Sequence, residues 1–389
     1  MSATLIPPSG ANVWGRCSGS ITMQPLYSRP KTQDQRDGDA AHYVAARMLL
    51  SCTSQGNPAD FDEETHVGSA DPAGTIITEE MYRAAVEYVN DVLQLANSEA
   101  GMDALMVEEM WVANRIHGEC RGRIDACFYA AQTNTLYVWD FKFGHRDVPA
   151  YGDLQLAAYV ASLLDFLQID GDQDQRMKVV ATIAKPRCFH GSGPIDRWEA
   201  PASDFRAYHN MLRNSAQEAY AGKGVLSPGP HCLGCAARHA CPSLRKATSA
   251  MIEYLESPLP EDPDNETVAL EKAMLDQAGD LLKARATGID TEIESRIMGG
   301  QLVPGYRAKP RMGQTRWTVD ADAVASLGQQ YGVELVEEKP VTPAEAQRRA
   351  KRAGVEIDES VINAYTERPS SGVKIVKDDG SDAQKAFKG

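Results

Sequence analysis

The chain has 389 residues, of which 43% are hydrophobic and 24% charged, a composition that excludes disorder and fibres and, at ~150 residues per domain, gives two or three globular domains. No apolar run approaches the ~18 residues of a membrane span, and Met1–Ala11 lacks a basic segment followed by an apolar one, so a cytoplasmic protein with no membrane partner is expected. Forty Lys+Arg against fifty-four Asp+Glu, a formal charge of −14, exclude a protein that coats nucleic acid by bulk electrostatics, and any DNA contact must come from local patches.

In chain order, Tyr43, Val44, Met48 and Leu50 predict a helix over Asp37–Leu50, entered at Gly38. Thr78 is a helix N-cap with Glu79 and Glu80 in the first turn, and Met81, Ala85, Tyr88, Val89, Val92 and Leu93 carry that helix to Ala96. Three strands follow as a meander: Met106–Val112, Arg121–Tyr129 and Thr135–Phe143. Beyond Pro149 a helix aligns Leu156, Val160, Leu163, Leu164 and Leu167 in one stripe, and Met177–Ile183 is a continuously apolar strand of the kind buried on both faces. The order α-β-β-β-α-β predicts an α/β (α+β) fold, a mixed central sheet flanked by helices.

A helix over Ala202–Ala221 then leads into Ser-Pro-Gly-Pro and a group of cysteines. The Pro-rich, acidic run Ser257–Asp264 is the best boundary in the chain, so the expected domains are 1–256 and 266–389, joined by a linker at 257–265. The second domain is read as a long helix over Glu266–Met298 with Gly288 as a break, and a strand pair over Val303–Val319 around Met312-Gly313. A basic helix over Thr342–Ala353 and a mobile tail from Pro369 complete it.

On the third strand, alternation places Asp140 and Lys142 on one face with Leu136 and Val138, and Tyr137, Trp139, Phe141 and Phe143 on the other. On the second strand Arg121, Arg123, Asp125 and Cys127 share a face. If Ala130 faces Thr135 across the turn Ala131–Asn134, Asp125 stands opposite Asp140. Opposed carboxylates beside apolar neighbours are costly unless a cation lies between them. Mg²⁺ or Mn²⁺, which favour hard oxygen ligands, would relieve the conflict through Asp125, Asp140 and the Phe141 carbonyl. Lys142 is then within reach of a bound water and of charge developing on phosphorus. An isolated Asp-x-Lys is more often a solvated ion pair. What sets this one apart is its setting: Gly122-Arg123-Ile124-Asp125, a hairpin, Trp139-Asp140-Phe141-Lys142, and a helix with Gln155 and Tyr159 on one face, apart from the apolar stripe.

This arrangement resembles the PD-(D/E)XK nuclease superfamily, and its RecB-like branch in particular. Asp125 matches the first acid, Asp140-Phe141-Lys142 the (D/E)-x-K tripeptide, and Gln155-x-x-x-Tyr159 the Q-x-x-x-Y element. The second acid is Asp where many relatives have Glu. The resemblance implies a restriction-endonuclease-like core and one more metal ligand on the helix before the sheet, matched by His42; by itself a helix His is more often a surface or capping residue. Glu108 and Glu109 are further candidate ligands, although acid pairs on strands are usually solvated.

Eight cysteines in a reducing compartment are not expected to form disulfides. Cys232-x2-Cys235-x5-Cys241 signals a metal but lacks a local fourth ligand. Cys17, at the other end of the domain, is available. Zinc is one reading, with His231 or His239 completing a Cys₃His set. A cysteine upstream of the core plus C-x2-C-x5-C downstream also resembles the iron-sulfur staple of AddB-like nuclease domains and CRISPR-associated RecB-like exonucleases. That resemblance implies a [4Fe-4S] cluster on Cys17, Cys232, Cys235 and Cys241, tying the domain's two ends together. Cys52, Cys120, Cys127 and Cys188 read as small core residues.

Local cationic patches are Arg121, Arg123, Lys142 and Arg146; Lys185 and Arg187; and Arg238, Arg245 and Lys246. Arg307, Lys309, Arg311 and Arg316 with Tyr306 and Trp317 mix cations and aromatics as single-strand binders do, and Arg348, Arg349, Lys351 and Arg352 form a basic run. The resemblances together imply a metal-dependent DNA exonuclease that processes ends for recombination or repair and leaves 5′-phosphates, with a helicase or single-strand annealing protein as partner. The layout is also similar to a phage and prophage family, which implies the cytoplasm of a bacterial host. Two alternatives stand beside this: a cluster-stapled DNA-end adaptor with a silent site, and a zinc-bearing structural protein of a phage particle.

Overall fold

Five strands in the order β1-β2-β3-β4-β5 carry the fold of a computed structural model that describes residues 6–27, 30–53, 62–188, 193–255, 262–312, 316–336, 341–355, 357–367 and 370–377. The chain divides into two compact units, Met1–Gly288 and Ile289–Gly389, each described by itself. The first contains α1 (Gln33–Ser51), α2 (Glu79–Glu99), β1 (Met106–Val112), β2 (Arg121–Ala130), β3 (Thr135–Phe141), α3 (Leu154–Phe166), β4 (Lys178–Ala184), β5 (Ile195–Pro201), α4 (Arg206–Tyr220) and α5 (Pro242–Leu255); the unit boundary falls within α6 (Asn265–Met298). Among the described residues no helix is long and apolar enough to cross a membrane.

Neighbouring strands are antiparallel except β3 and β4, and that parallel pair requires a crossover, which α3 supplies. The β2–β3 ladder runs from Ala130↔Thr135 to Ala126↔Trp139, the register expected from the turn length. One face of the sheet buries Phe128, Tyr137, Trp139, Phe141 and Phe143 beneath Val44 and Met48 of α1 and Tyr88 and Val92 of α2. The other buries Leu136, Val138, Val179, Ala181 and Ile183 against Leu156, Val160 and Leu163 of α3. A third core joins the N-terminal Ile6, Trp14 and Ile21 to Leu154, Ala158 and Ala161 of α3 and Leu212 and Ala216 of α4.

Several boundaries differ from expectation. Helix α1 begins at Gln33, because Thr32 and Gln35 form a capping box, so Gly38 lies inside the helix. Strand β5 is an edge strand of low apolar content in which Trp198 alone is buried; Arg197 secures it to Asp91 on α2, which also accepts the Trp139 indole N–H at 2.9 Å. Gly288 does not break α6; a Cβ there would meet the Arg238 Cγ at 2.7 Å, so glycine allows a close approach. The linker expected at 257–265 lies largely outside the described residues.

In the second unit, β6 (Tyr306–Met312), β7 (Arg316–Trp317), α7 (Ala321–Tyr331), α8 (Pro343–Arg352), α9 (Glu359–Ala364), β8 (Thr366–Glu367) and β9 (Ser370–Lys377) follow. The expected pairing within Val303–Val319 does not form: β6 pairs with β9, and β7 with β8. Part of the segment expected to be a mobile tail is thus strand β9. The Trp317 indole donates to the Val341 carbonyl at 2.6 Å, and Arg348, Arg349 and Arg352 all face Glu345, so these groups are engaged internally.

Candidate metal centre

The parallel β3–β4 pair, the β2–β3 hairpin and the first turns of α3 bring the expected residues to one open cleft of about 510 Å³, lined by His42, Glu108, Arg123, Asp125, Asp140, Lys142, Gln155 and Tyr159 among others. The regular ladder stops one pair short of Asp125 and Asp140. There the Asp125 carboxylate replaces a backbone partner: its Oδ2 accepts the Phe141 N–H at 2.6 Å, and its Oδ1 lies 3.4 Å from His42 Nδ1. The imidazole packs on the Phe141 ring at 5.2 Å, and Tyr88 stacks on that ring at 4.9 Å.

His42, Glu108 and Asp125 each offer an atom within 4.8 Å of the others. Asp140, expected as a ligand with Asp125, lies outside that group and is buried, 2% exposed. Its Oδ1 accepts from Gln155 Nε2 at 2.7 Å, and its Oδ2 pairs with the Lys142 ammonium at 2.7 Å. Lys142 donates to Gln155 Oε1 at 2.9 Å, and Gln155 Nε2 is 2.8 Å from the Tyr159 hydroxyl. Gln155 therefore links acid, lysine and tyrosine. Gln155 and Tyr159 do share a face, but both are buried, and Tyr159 joins the α3 core rather than standing apart from it. Phe141 contributes its N–H to the site, and Glu109 is exposed.

Glu108 carried little signal in the sequence because strict alternation fails at it. Its φ is +53°, a left-handed conformation that costs a non-glycine residue about 1–3 kcal/mol and is kept where function requires it. The paired residues Val107↔Ala126 and Glu109↔Ile124 leave Glu108 facing Asp125. The same irregularity lets Ile124 share a core with Cys127, against the expected two-residue alternation.

Burial and neighbouring charges set the protonation of these groups. Burial and then the adjoining Asp125 carboxylate push Glu108 up to about 7. Burial pulls the His42 imidazolium down, but Asp125 outweighs it and the group stands at about 9. Burial raises Asp140, and Lys142, held up by Asp140 against its own burial, stays charged. Burial also works to raise Asp125, and His42 with the Phe141 N–H overcomes it, so its carboxylate is held low. The converging carboxylates of Glu108 and Asp125 form a hard-oxygen donor set that suits a divalent cation; His42 adds a nitrogen.

Cys17, Cys232, Cys235 and Cys241 line a second, small pocket as free thiols. Each sulfur accepts a backbone amide: Ser227 to Cys17, Gly229 to Cys232 and Leu244 to Cys241, each at 3.4 Å, and Ala237 to Cys235. Burial pushes the Cys235 thiol up to about 11. The four sulfurs share one lining but, unlike His42, Glu108 and Asp125, do not lie within 4.8 Å of one another as a group. His231 is held through Nε2 by the Ser227 carbonyl at 2.9 Å, and His239 packs edge-on against Tyr27. Cys120 and Cys127 are buried core residues, as expected. Lys185, expected on a DNA-facing patch, is fully buried against Asp147 and Asp196, and Arg187 lies over Phe143 and pairs with Glu80.

A solved structure titled "Crystal structure of SSO0001" is similar at 11% identity, covering 57% of this chain and 92% of that one with a TM-score of 0.24. A family model described as "Protein of unknown function (DUF2800)" matches residues 3–383. This chain, with its acid-lined cleft and its four-cysteine pocket, belongs to the DUF2800 family.

Proposed function

We propose that this protein is a metal-dependent deoxyribonuclease of the PD-(D/E)XK type, an exonuclease that processes DNA ends for recombination or repair alongside a helicase or single-strand annealing protein. The observation that supports this reading is the meeting of His42, Glu108 and Asp125 with Asp140, Lys142 and Gln155 in one cleft. Mg²⁺ or Mn²⁺, held by His42, Glu108 and Asp125 with Asp140 beside them, would supply Lewis acidity and a water acidic enough to attack phosphorus near neutral pH. The chain's own groups do the rest. The Phe141 N–H fixes the Asp125 carboxylate before any ligand arrives. Lys142, positioned by Asp140 and Gln155, keeps a positive charge where negative charge grows on the phosphoryl oxygens.

To Cys17, Cys232, Cys235 and Cys241 we assign a [4Fe-4S] cluster. Support comes from the amide donated to each sulfur; His231, held through Nε2 by Ser227 with Nδ1 left for a ligand, keeps the Cys₃His zinc alternative open. Purified protein with Mn²⁺ should degrade labelled linear DNA, and Asp140→Ala or Lys142→Ala should abolish this with circular dichroism and colour unchanged. If the wild type is inert on every end structure yet still binds DNA, the adaptor reading replaces this one.

A further inference from the structure

A second cleft of about 450 Å³ opens beside the first and shares Ser9, Lys142 and Gln155 with it. Its far wall includes Arg16 and His231, the residues that precede Cys17 and Cys232. Arg146 and Tyr151 also line it. The volume falls within the roughly 300–1,000 Å³ of small-molecule sites, room for one nucleotide.

The lining has the chemistry of a nucleotide subsite. Arg146 is exposed and makes no hydrogen bond or ion pair among the described residues. Arg16 is fixed through Nη1, which donates to the Asn12 carbonyl at 3.0 Å and to Asn12 Oδ1 at 2.9 Å. The two acids on this wall are already engaged: Asp153 caps α3 and accepts from Asn12 at 2.8 Å, and Asp147 pairs with Lys185. Tyr151 is 73% exposed, yet it is held edge-on against Trp198 with ring centroids 5.4 Å apart. A large, mostly exposed aromatic braced by a second ring is a candidate stacking platform for a base.

We infer that this cleft seats the nucleotide next to the scissile phosphate of a single-stranded DNA end, with a base stacked on Tyr151 and phosphates met by Arg146 and Arg16. The inference rests on the nuclease reading for its substrate class. A free strand offers the face of a base, whereas an intact duplex hides it, so single strands are the preferred form.

The test is fluorescence anisotropy of a labelled oligonucleotide, single-stranded or as a blunt duplex, with the full chain in Ca²⁺. The wild type should bind the single strand more tightly. Tyr151→Ala should weaken that binding about tenfold while Tyr151→Phe retains it, and Arg146→Ala should lower the slope of log affinity against log salt by about one. Unaltered thermal melting of each variant separates these effects from misfolding. Equal binding by wild type, Tyr151→Ala and Arg146→Ala, no strand preference, or no binding by the wild type overturns the inference. The two readings fail separately: tight Tyr151-dependent binding without hydrolysis removes the nuclease, whereas hydrolysis with Tyr151-independent binding removes the subsite.

Discussion

Asp125 Oδ2 accepts the Phe141 backbone N–H at 2.6 Å, so one carboxylate both closes the end of a β-ladder and faces His42. Asp125→Asn keeps an acceptor for that N–H but loses the charge, whereas Asp125→Ala leaves the buried amide unpaired. The alanine variant should be about 1–3 kcal/mol less stable than the asparagine one, with both inactive. Urea midpoints and a DNA degradation assay check this.

Gln155 touches Asp140, Lys142 and Tyr159 at once. Its truncation to alanine should lower activity by about 10–100-fold without unfolding the protein, the usual loss when a group that orients ligands is removed. Tyr159→Phe should cost less, since Asp140 and Lys142 keep their bonds to Gln155. Comparing kcat for the two variants decides the order.

In metal-free protein, Glu108 stands at about 7, above its ordinary carboxylate value, and His42 at about 9, above that of a free imidazole. Both folded-state values are raised, so each contribution to stability is present at low pH and lost as pH rises, across about 4.5 to 7 for Glu108 and about 6.5 to 9 for His42. The melting temperature without metal should fall from pH 5 to pH 9, and Glu108→Gln should flatten the lower part of that fall. Mn²⁺ should restore more stability at the alkaline end, because its ligands bind deprotonated.

The Lys185 ammonium is fully buried against Asp147 and Asp196. Lys185→Met keeps its volume and strands the half-exposed carboxylates. The expected loss is about 1–3 kcal/mol, that of charge-assisted hydrogen bonds whose acceptors keep partial access to water, read from urea denaturation.

Protein purified without oxygen should be brown and carry about four irons per chain. Cys17→Ser should bleach it as fully as Cys235→Ser. Stoichiometric zinc without colour would replace the cluster.

The hairpin and its register were legible because a two-residue period and a four-residue turn leave little freedom, whereas the approach of Gln155 and Tyr159 was implied by their four-residue spacing on a helix and by the family resemblance. Glu108 was faint because a single positive φ reverses the alternation on which such readings depend. Strand β5 has one buried side chain and is defined by Arg197 reaching Asp91, a contact across 106 residues. Strand β9 takes its partner from Tyr306–Met312, far beyond the range of any local pattern. The depth of Lys185 was hidden because its apolar strand ends in a charge whose partners come from elsewhere, Asp147 from a loop and Asp196 from strand β5.

The docking of Trp14 and Ile21 on Leu212 and Ala216, reinforced by the Ser215 hydroxyl donating to the Trp14 carbonyl, sets an order of assembly during synthesis. Trp14 and Ile21 can rest on Leu154, Ala158 and Ala161 once α3 is made, but their core stays open on one side until α4 has been made. At ~5–20 residues per second, that is a wait of roughly 10–40 s. A nascent chain halted before residue 206 would leave this core open where Leu212 and Ala216 belong.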